Sequence, residues 1–286
     1  LIIGTYFVYA QVQHASNFER GFELDGQLIL RDVGRFHDPG RAEKSERARA
    51  RIEQLDVVEH ASLTWAVPSD DLGFLTQHFR PGFNEQALME LALIDPHYAD
   101  ALGIDLIAGR FLDADVEKDR YVMPPTRETT YNVVINRKGL ESLGFETADE
   151  AIGAVIKDRG YDRKKNERFT FDVTIVGVVD DVQYGSIRDE IGPTVYEYQP
   201  RRLYNIVVRF VDGAGPEAYD AVKRTWEDVA PEFPFEAVYL SAELGKHYEA
   251  DQQRANMFAC FALLAIVLSA IGVLGLSAFS VDQRRK

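Results

Sequence analysis

The feature that most constrains the fold is an uncharged apolar run near the end of the chain, closed by a basic segment. Residues 255–281 contain no Asp, Glu, Lys or Arg, and Arg284, Arg285 and Lys286 follow shortly after. A helix needs roughly 20 apolar residues to cross about 30 Å of hydrocarbon, and this run exceeds that length. The sequence therefore predicts a transmembrane helix at residues 255–281, with residues 282–286 starting a cytoplasmic segment.

The other end of the chain is also uncharged. Residues 1–13 carry no charge but are too few to span a bilayer alone. They lack the basic region and small-residue cleavage site of a signal peptide, so we interpret them as the end of a transmembrane helix. The basic exit after residue 281 places residues 14–254 on the periplasmic or extracellular side. The expected location is the inner (plasma) membrane, in a multi-pass protein that contacts membrane lipid.

The composition limits the partners of residues 14–254. The chain has 32 Lys and Arg against 46 Asp and Glu, a net charge of −14, which argues against a nucleic-acid partner. Its single cysteine, Cys260, lies within the predicted span, so no intramolecular disulfide can form. The outward domain must therefore be stabilised by its core alone.

Two stretches repeat the order strand, helix, strand. The first runs through "QLILRDV", "RAEKSERARARIEQL" and "VVEHASLTWAV", and the second through "YNIVVRFV", "EAYDAVKRTWEDVA" and "FPFEAVYL". A pair of β-α-β units builds a split, ferredoxin-like α/β sandwich. The sequence therefore predicts a porter-like lobe formed by residues 24–67 and 203–241.

Residues 68–202, between these units, carry strands of their own. "YNVVINRKGLESLG" reads as a strand and then a helix capped by Asn136, and two β-rich arms around "KDRGYDRKKNER" predict a hairpin. We interpret the basic tip as a solvated turn, with a lipid or acidic-partner contact as the alternative. The predicted fold class is α+β, an outward-facing porter-like lobe of two β-α-β units with an inserted second α/β lobe, flanked by transmembrane helices.

A stalk is predicted to connect the outward domain to the membrane. Ser241 can cap a helix that begins at Ala242, and no Pro interrupts the chain from there through the span. Residues 242–254 would then continue into the span as one rod of about 60 Å at ~1.5 Å per residue. Small side chains on one stripe of the span favour helix packing, with a loose apolar helix as the alternative; they are Ala265, Ser269 and Gly272.

The sequence contains no motif for catalysis. It has no G-x-x-x-x-G-K-[ST] phosphate loop, no H-E-x-x-H and no G-x-S-x-G. The stretch "DPHYAD" places Asp95, His97 and Asp100 together, but we interpret it as a helix cap because a metal needs ligands from several elements. We therefore predict no catalytic residue, cofactor or metal in this chain, and no enzymatic activity.

Several motifs in order resemble one family, the permease subunits of MacB/FtsX-like ABC transporters. The similar stretches are "GFELDGQLIL", "IDPHYADALGIDLIAGRFL", "TIVGVVDDVQYGSIRDEIGPTVY" and the closing "FALLAIVLSAIGVLGLSAFSVDQRRK". The residues that match the family's motifs, and that the resemblance implies are structural, are Gly21, Phe22, Asp95, Tyr98, Gly103, Gly109, Arg110, Gly177 and Pro193.

The resemblance implies a mechanical role in transport. Such a permease couples ATP hydrolysis by a partner ATPase to motion of its periplasmic domain, for export or extraction of a substrate. ATP and Mg²⁺ would be bound by that ATPase subunit or by a fused domain. The resemblance also implies a homodimer or a paired permease, and a possible periplasmic adaptor. The alternative is a membrane-bound sensory receptor with an extracytoplasmic ligand-binding domain, which shares the plan of span, outward domain, span and basic exit.

Overall fold

The computed structural model describes most of the chain between residues 21 and 275. The described residues are 21–24, 26–31, 40–83, 86–121, 124–162, 165–186, 189–245, 257, 260, 261, 263–273 and 275. The chain divides into a unit Glu19–Glu243 and a second unit formed by Leu1–Phe18 and Leu244–Lys286. The predicted transmembrane end at residues 1–13 lies outside the described residues.

The described residues form the following strands and helices. The strands are β1 Gln27–Leu30, β2 Val58–Thr64, β3 Leu75–His78, β4 Ala87–Leu93, β5 Leu106–Gly109, β6 Thr130–Asn136, β7 Val155–Asp162, β8 Glu167–Val179, β9 Thr194–Glu197, β10 Asn205–Phe210 and β11 Ala237–Tyr239. The helices are α1 Arg41–Glu53, α2 Tyr98–Leu102, α3 Arg137–Ser142, α4 Ala148–Ala151 and α5 Pro216–Val229, with short 3₁₀ turns at Glu117–Asp119 and Pro200–Arg202.

The first lobe contains a four-stranded antiparallel sheet in the order β11-β1-β10-β2. This order interleaves the units β1-α1-β2 and β10-α5-β11, as in a ferredoxin-like sandwich. Helix α5 buries Ala218, Val222 and Trp226, spaced four residues apart on one face. It packs against α1, which itself lies on β2. The predicted porter-like lobe of two β-α-β units is confirmed.

The second lobe is inserted between β2 and β10 and closes on itself. Its sheet follows the order β3-β4-β9-β6-β8, with β7 and β5 also paired to β8. Two backbone hydrogen bonds between Phe79 and Lys157, of 2.9 and 3.1 Å, then link the end of β3 to β7. The path β3-β4-β9-β6-β8-β7 therefore returns to β3 as a small barrel, which leaves fewer free strand edges.

The hairpin of β7 and β8 shows how the barrel interior is filled. Along β8, Phe169, Phe171, Val173 and Ile175 are buried, and the residues between them are more exposed. This alternation is the period of a strand with one buried face. On β7 the paired Gly160 lies beneath the Phe169 ring, where a Cβ atom would collide. The inserted α/β lobe and its hairpin are thus present as the pattern predicts.

Two local predictions about helix starts have different outcomes. Asn136 caps α3, because its Oδ1 accepts hydrogen bonds from the backbone N–H groups of Gly139 at 2.8 Å and Thr194 at 2.7 Å. The predicted start at Ala242 is wrong, since the chain is already helical at Leu240. Strand β11 runs directly into this helix, so Ser241 lies within the first turn and is not its cap.

The second unit is helical wherever it is described after residue 256. Its described large apolar side chains are mostly more than half exposed, namely Met257, Phe261, Leu263, Leu264, Ile266, Leu268, Ile271 and Val273, with Val267 at 48%. In the described part of the chain, no helix combines the length and apolar composition that crossing a membrane requires. The predicted stalk at 242–254 and span at 255–281 lie partly outside the described residues, and the segment 282–286 lies wholly outside them.

Candidate functional site

The candidate site is the junction between the two lobes, where the chain leaves β2 and returns from β4. Thr64 and Ile94 form an isolated antiparallel bridge. The Trp65 N–H donates to the Leu93 carbonyl at 2.9 Å, and the Asp95 N–H donates to the Leu63 carbonyl at 3.0 Å. The two sheets are therefore connected by backbone pairing as well as by the covalent chain.

Asp95 reinforces this pairing with its side chain. The carboxylate is 1% exposed and accepts hydrogen bonds from the Ser62 hydroxyl at 2.6 Å and the Leu63 N–H at 2.7 Å, both on β2. It also accepts the His97 N–H at 2.9 Å, and the Arg49 guanidinium lies 3.8 Å away. Burial raises the pKa of Asp95 to about 6, and the hydrogen bonds from β2 oppose that rise. Asp95 therefore connects the two lobes, whereas the N-cap of the following helix is His97, which makes no side-chain capping bond.

Helix α2 follows Asp95 and packs on β2 and β10 of the first lobe. The Tyr98 hydroxyl donates to the Ala66 carbonyl at 2.6 Å and lies 3.0 Å from the Tyr184 hydroxyl.

Gly103 ends the helix with a positive φ of 69°, and the Glu23 side chain lies against it. The Glu23 N–H in turn donates to the Leu102 carbonyl at 2.8 Å. Residues from both lobes therefore meet around this one short helix.

The motif residues Gly109, Arg110 and Gly177 form a separate cluster. Gly109 and Gly177 face each other across β5 and β8. A Cβ atom on Gly109, where φ is 77°, would collide with the Val176 carbonyl oxygen, and one on Gly177 would collide with that of Arg110. Glycine is required at both positions because the two backbones approach too closely for a side chain.

Arg110 holds a buried carboxylate beside this close approach. Its guanidinium binds Asp119 through two contacts, of 2.5 and 2.9 Å, and Asn132 also donates to Asp119, at 2.6 Å. Burial alone would raise the pKa of Asp119, but the hydrogen bonds from Arg110 and Asn132 hold it below its usual value. The cluster fixes the segment after β5 to the barrel strand β6.

The remaining motif residues lie in backbone contacts. Gly21 has φ of 73°, and a Cβ atom there would collide with the Asp181 carbonyl oxygen. Phe22 is half-buried, and the Pro193 carbonyl accepts the Glu90 N–H at 2.7 Å just before β9.

The small residues predicted to pack against another helix lie on the helical residues 263–273. They are Ala265, Ser269 and Gly272, and the last two are exposed. Their role in helix packing stays a prediction.

Sequence reasoning missed an arginine that also connects the lobes. Arg31, just after β1, donates from Nη2 to the Ser69 hydroxyl and to Asp70 Oδ1, both at 2.9 Å. Ser69 and Asp70 belong to the segment that leaves the first lobe. No sequence signal points to this contact, because the partners are nearly 40 residues apart and no motif contains them.

Solved structures with similar folds include two domains of membrane transport proteins. One is a domain assigned to a permease protein of Porphyromonas gingivalis, with 15% identity over 76% of this chain and 89% of that chain, and a TM-score of 0.44. The other is the extracellular domain of the noncanonic ABC-type transporter YknZ from Gram-positive bacteria, with 16% identity over 72% and 91%, and a TM-score of 0.41. No protein-family model matches the chain, and the search of curated proteins found no match. Both similarities are remote.

Proposed function

We propose that this chain is a permease subunit of a MacB/FtsX-like ABC transporter whose outward domain transmits motion. The observation that carries the proposal is the junction, where backbone pairing, Asp95 and Arg31 bind the two lobes together. A displacement applied to one lobe would be transmitted to the other. A packed, hydrogen-bonded interface does not deform continuously, so the junction would not absorb the displacement as a hinge does. The ordered sequence motifs give the transporter class.

The proposal includes a membrane location and a separate source of energy. The exposed apolar side chains between Met257 and Val273 would be covered by lipid or by a paired permease helix. A partner ATPase, or a fused domain, would bind ATP and Mg²⁺, since the sequence holds no phosphate loop. The domain Glu19–Glu243 would face the periplasm or cell exterior and handle a substrate for export or extraction, alone or with an adaptor.

The sensory alternative would require a ligand pocket in the outward domain. A recess of about 340 Å³ lies between the segment at Asp71–Leu75 and the one at Val182–Tyr184, and Glu90 also lines it. Burial raises the pKa of Glu90, with a further rise from the charge of Asp71. The acidic side chains of the recess would select a cationic ligand if the chain were a receptor. We favour the permease because the ordered sequence motifs resemble that family along the whole chain.

The transport proposal is tested by loosening the junction in the complete transporter. Arg31→Gln removes the guanidinium that contacts Ser69 and Asp70, and Arg224→Gln on the exposed face of α5 is the matched control. We expect Arg31→Gln to lower transport several-fold at normal expression while the ATPase rate is maintained, and the control to change neither. Normal transport by Arg31→Gln would contradict the proposal. A small molecule that binds the outward domain and acts without the ATPase would favour the receptor.

A further inference from the structure

The interior of the second-lobe barrel contains a buried group of metal-binding side chains. His78 ends β3, Asp158 lies in the middle of β7 and Glu197 ends β9. One ligand atom from each, a ring nitrogen and two carboxylate oxygens, lies within 4.8 Å of the other two. The three residues are 0%, 9% and 3% exposed. Ligands from three separate strands thus converge inside the barrel, independently of the lobe junction.

One ring nitrogen of His78 is left without a hydrogen-bond partner in the described residues. Its Nε2 lies 3.0 Å from the Thr76 hydroxyl, which itself donates to the Met89 carbonyl at 3.3 Å. When the hydroxyl proton goes to the Met89 carbonyl, Nε2 carries the ring proton and Nδ1 presents its lone pair. Within the described residues, this buried Nδ1 has no hydrogen-bond partner. A buried acceptor without a partner destabilises the fold, and a bound cation would satisfy it.

The two carboxylates share few hydrogen-bond donors, and the charge of Arg202 offsets that of Glu197 only in part. The Tyr131 hydroxyl lies 2.8 Å from Glu197 Oε1 and 3.2 Å from Asp158 Oδ2, and its single proton cannot serve both. Gln199 donates to the other Glu197 oxygen at 2.6 Å. In the part of the chain that the structure describes, no Lys or Arg forms an ion pair with either carboxylate.

We infer that His78, Asp158 and Glu197 bind one divalent cation, with Zn²⁺ as the preferred ion. One imidazole nitrogen with two carboxylate oxygens is a borderline ligand set that suits Zn²⁺ better than Mg²⁺, and the two negative charges balance the ion. The cation would connect β9 to β3 and β7, the two strands that are linked by the backbone hydrogen bonds between Phe79 and Lys157. It would therefore act as a structural clasp of the barrel. The inference goes beyond the transport proposal and does not depend on it.

The sequence shows no metal motif here because the three ligands have no recognisable spacing. Asp158 follows His78 by about 80 residues, and Glu197 follows by about 40 more. Metal motifs read from sequence depend on ligands a few residues apart on one element. Here the closure of the barrel, not a local motif, brings the side chains together.

Zn²⁺ titration of the full chain, purified in detergent and stripped with a chelator, tests the inference. A chromogenic zinc indicator reports competition, and Mg²⁺ serves as the comparison ion. We expect one Zn²⁺ per chain at or below micromolar concentration and no competition by Mg²⁺. Hydrogen exchange with and without Zn²⁺ locates the site without any substitution, and slower exchange is expected in β3, β7 and β9. The absence of stoichiometric binding, or protection confined to other segments, would overturn the inference.

Two near-isosteric variants provide an independent test. His78→Gln and Glu197→Gln remove one ligand each, and His97→Gln is the matched control, a partly exposed histidine 3.9 Å from Glu53. We expect each ligand variant to bind Zn²⁺ roughly tenfold more weakly or worse, as for disruption of metal-site contacts generally, and the control to bind normally. Unchanged binding in both ligand variants would overturn the inference. If either variant fails to fold by circular dichroism, hydrogen exchange on the unmodified chain decides.

Discussion

The Asp95 carboxylate accepts a hydrogen bond from the Leu63 N–H at 2.7 Å, so a side chain at the end of one lobe completes the last strand of the other. The Leu63 carbonyl accepts the Asp95 N–H at 3.0 Å in return. These two residues therefore form a reciprocal pair that a backbone bridge alone would not provide. This pair connects the two lobes through a side chain as well as through the backbone.

Removing the Asp95 carboxylate is expected to destabilise the domain. Asp95→Ala leaves the Ser62 hydroxyl and the Leu63 and His97 N–H groups without their acceptor in a buried position. The expected loss in the free energy of unfolding at neutral pH is about 2–4 kcal/mol, measured by urea denaturation. The exposed Asp100→Ala on α2 is the control and should change stability by less than about 0.5 kcal/mol. Equal stability of the two variants would contradict a role for Asp95 in the junction.

The same residue should give the domain a specific pH dependence. Its folded pKa of about 6 lies above the ordinary 3.8, so its stabilising contribution is fully present below pH 3.8 and is lost as the pH rises to about 6. At 1.36 kcal/mol per pKa unit, this loss is up to about 3 kcal/mol. The difference in unfolding free energy between the unmodified chain and Asp95→Ala should therefore shrink between about pH 4 and pH 7. A difference that grows with pH would show that ionised Asp95 is favoured in the fold.

The close approach at Gly177 predicts a low tolerance for any side chain. Gly177→Ala places a methyl group against the Arg110 carbonyl oxygen, which is backbone and cannot move aside without displacing β5. We expect a loss of about 2 kcal/mol or more in unfolding free energy. Gly245→Ala is the control, because nothing lies within 4 Å of its Cβ position and the residue is helical. It should be neutral or slightly stabilising. A tolerated Gly177→Ala would indicate that the strands can separate.

The proposed membrane orientation predicts unequal labelling of two introduced cysteines. Asp149 is exposed on α4 of the outward unit. In intact cells permeable only at the outer membrane, a charged thiol reagent should label Asp149→Cys but not Arg285→Cys, with Cys260 replaced by Ser. The reverse labelling pattern would contradict the orientation.

The sequence predicts the first lobe well because its elements are local. The strand and helix patterns around β1, α1, β10 and α5 are continuous in sequence, and the β-α-β order limits how the strands can pair. The Asn136 cap could be predicted for the same reason, since its first partner, Gly139, is three residues away.

The rest depends on contacts between distant residues. The Phe79–Lys157 seam, the Arg31 contacts with Ser69 and Asp70, and the convergence of His78 with Asp158 arise only after the strands have paired. Asp95 shows an intermediate case. Its place before a helix can be read locally, but its hydrogen bonds to β2 join residues more than 30 positions apart.

A distance measurement between the two lobes tests whether the outward unit moves as one body. Spin labels at the exposed residues Asp149 on α4 and Lys223 on α5 report on the two lobes of one chain. In the full transporter with its ATPase, we predict the same distance distribution without nucleotide and with bound ATP. The distance between two Lys223 labels on paired permeases should change over the same states. An Asp149–Lys223 distance that changes with nucleotide would show that the lobes move separately, and would contradict this account.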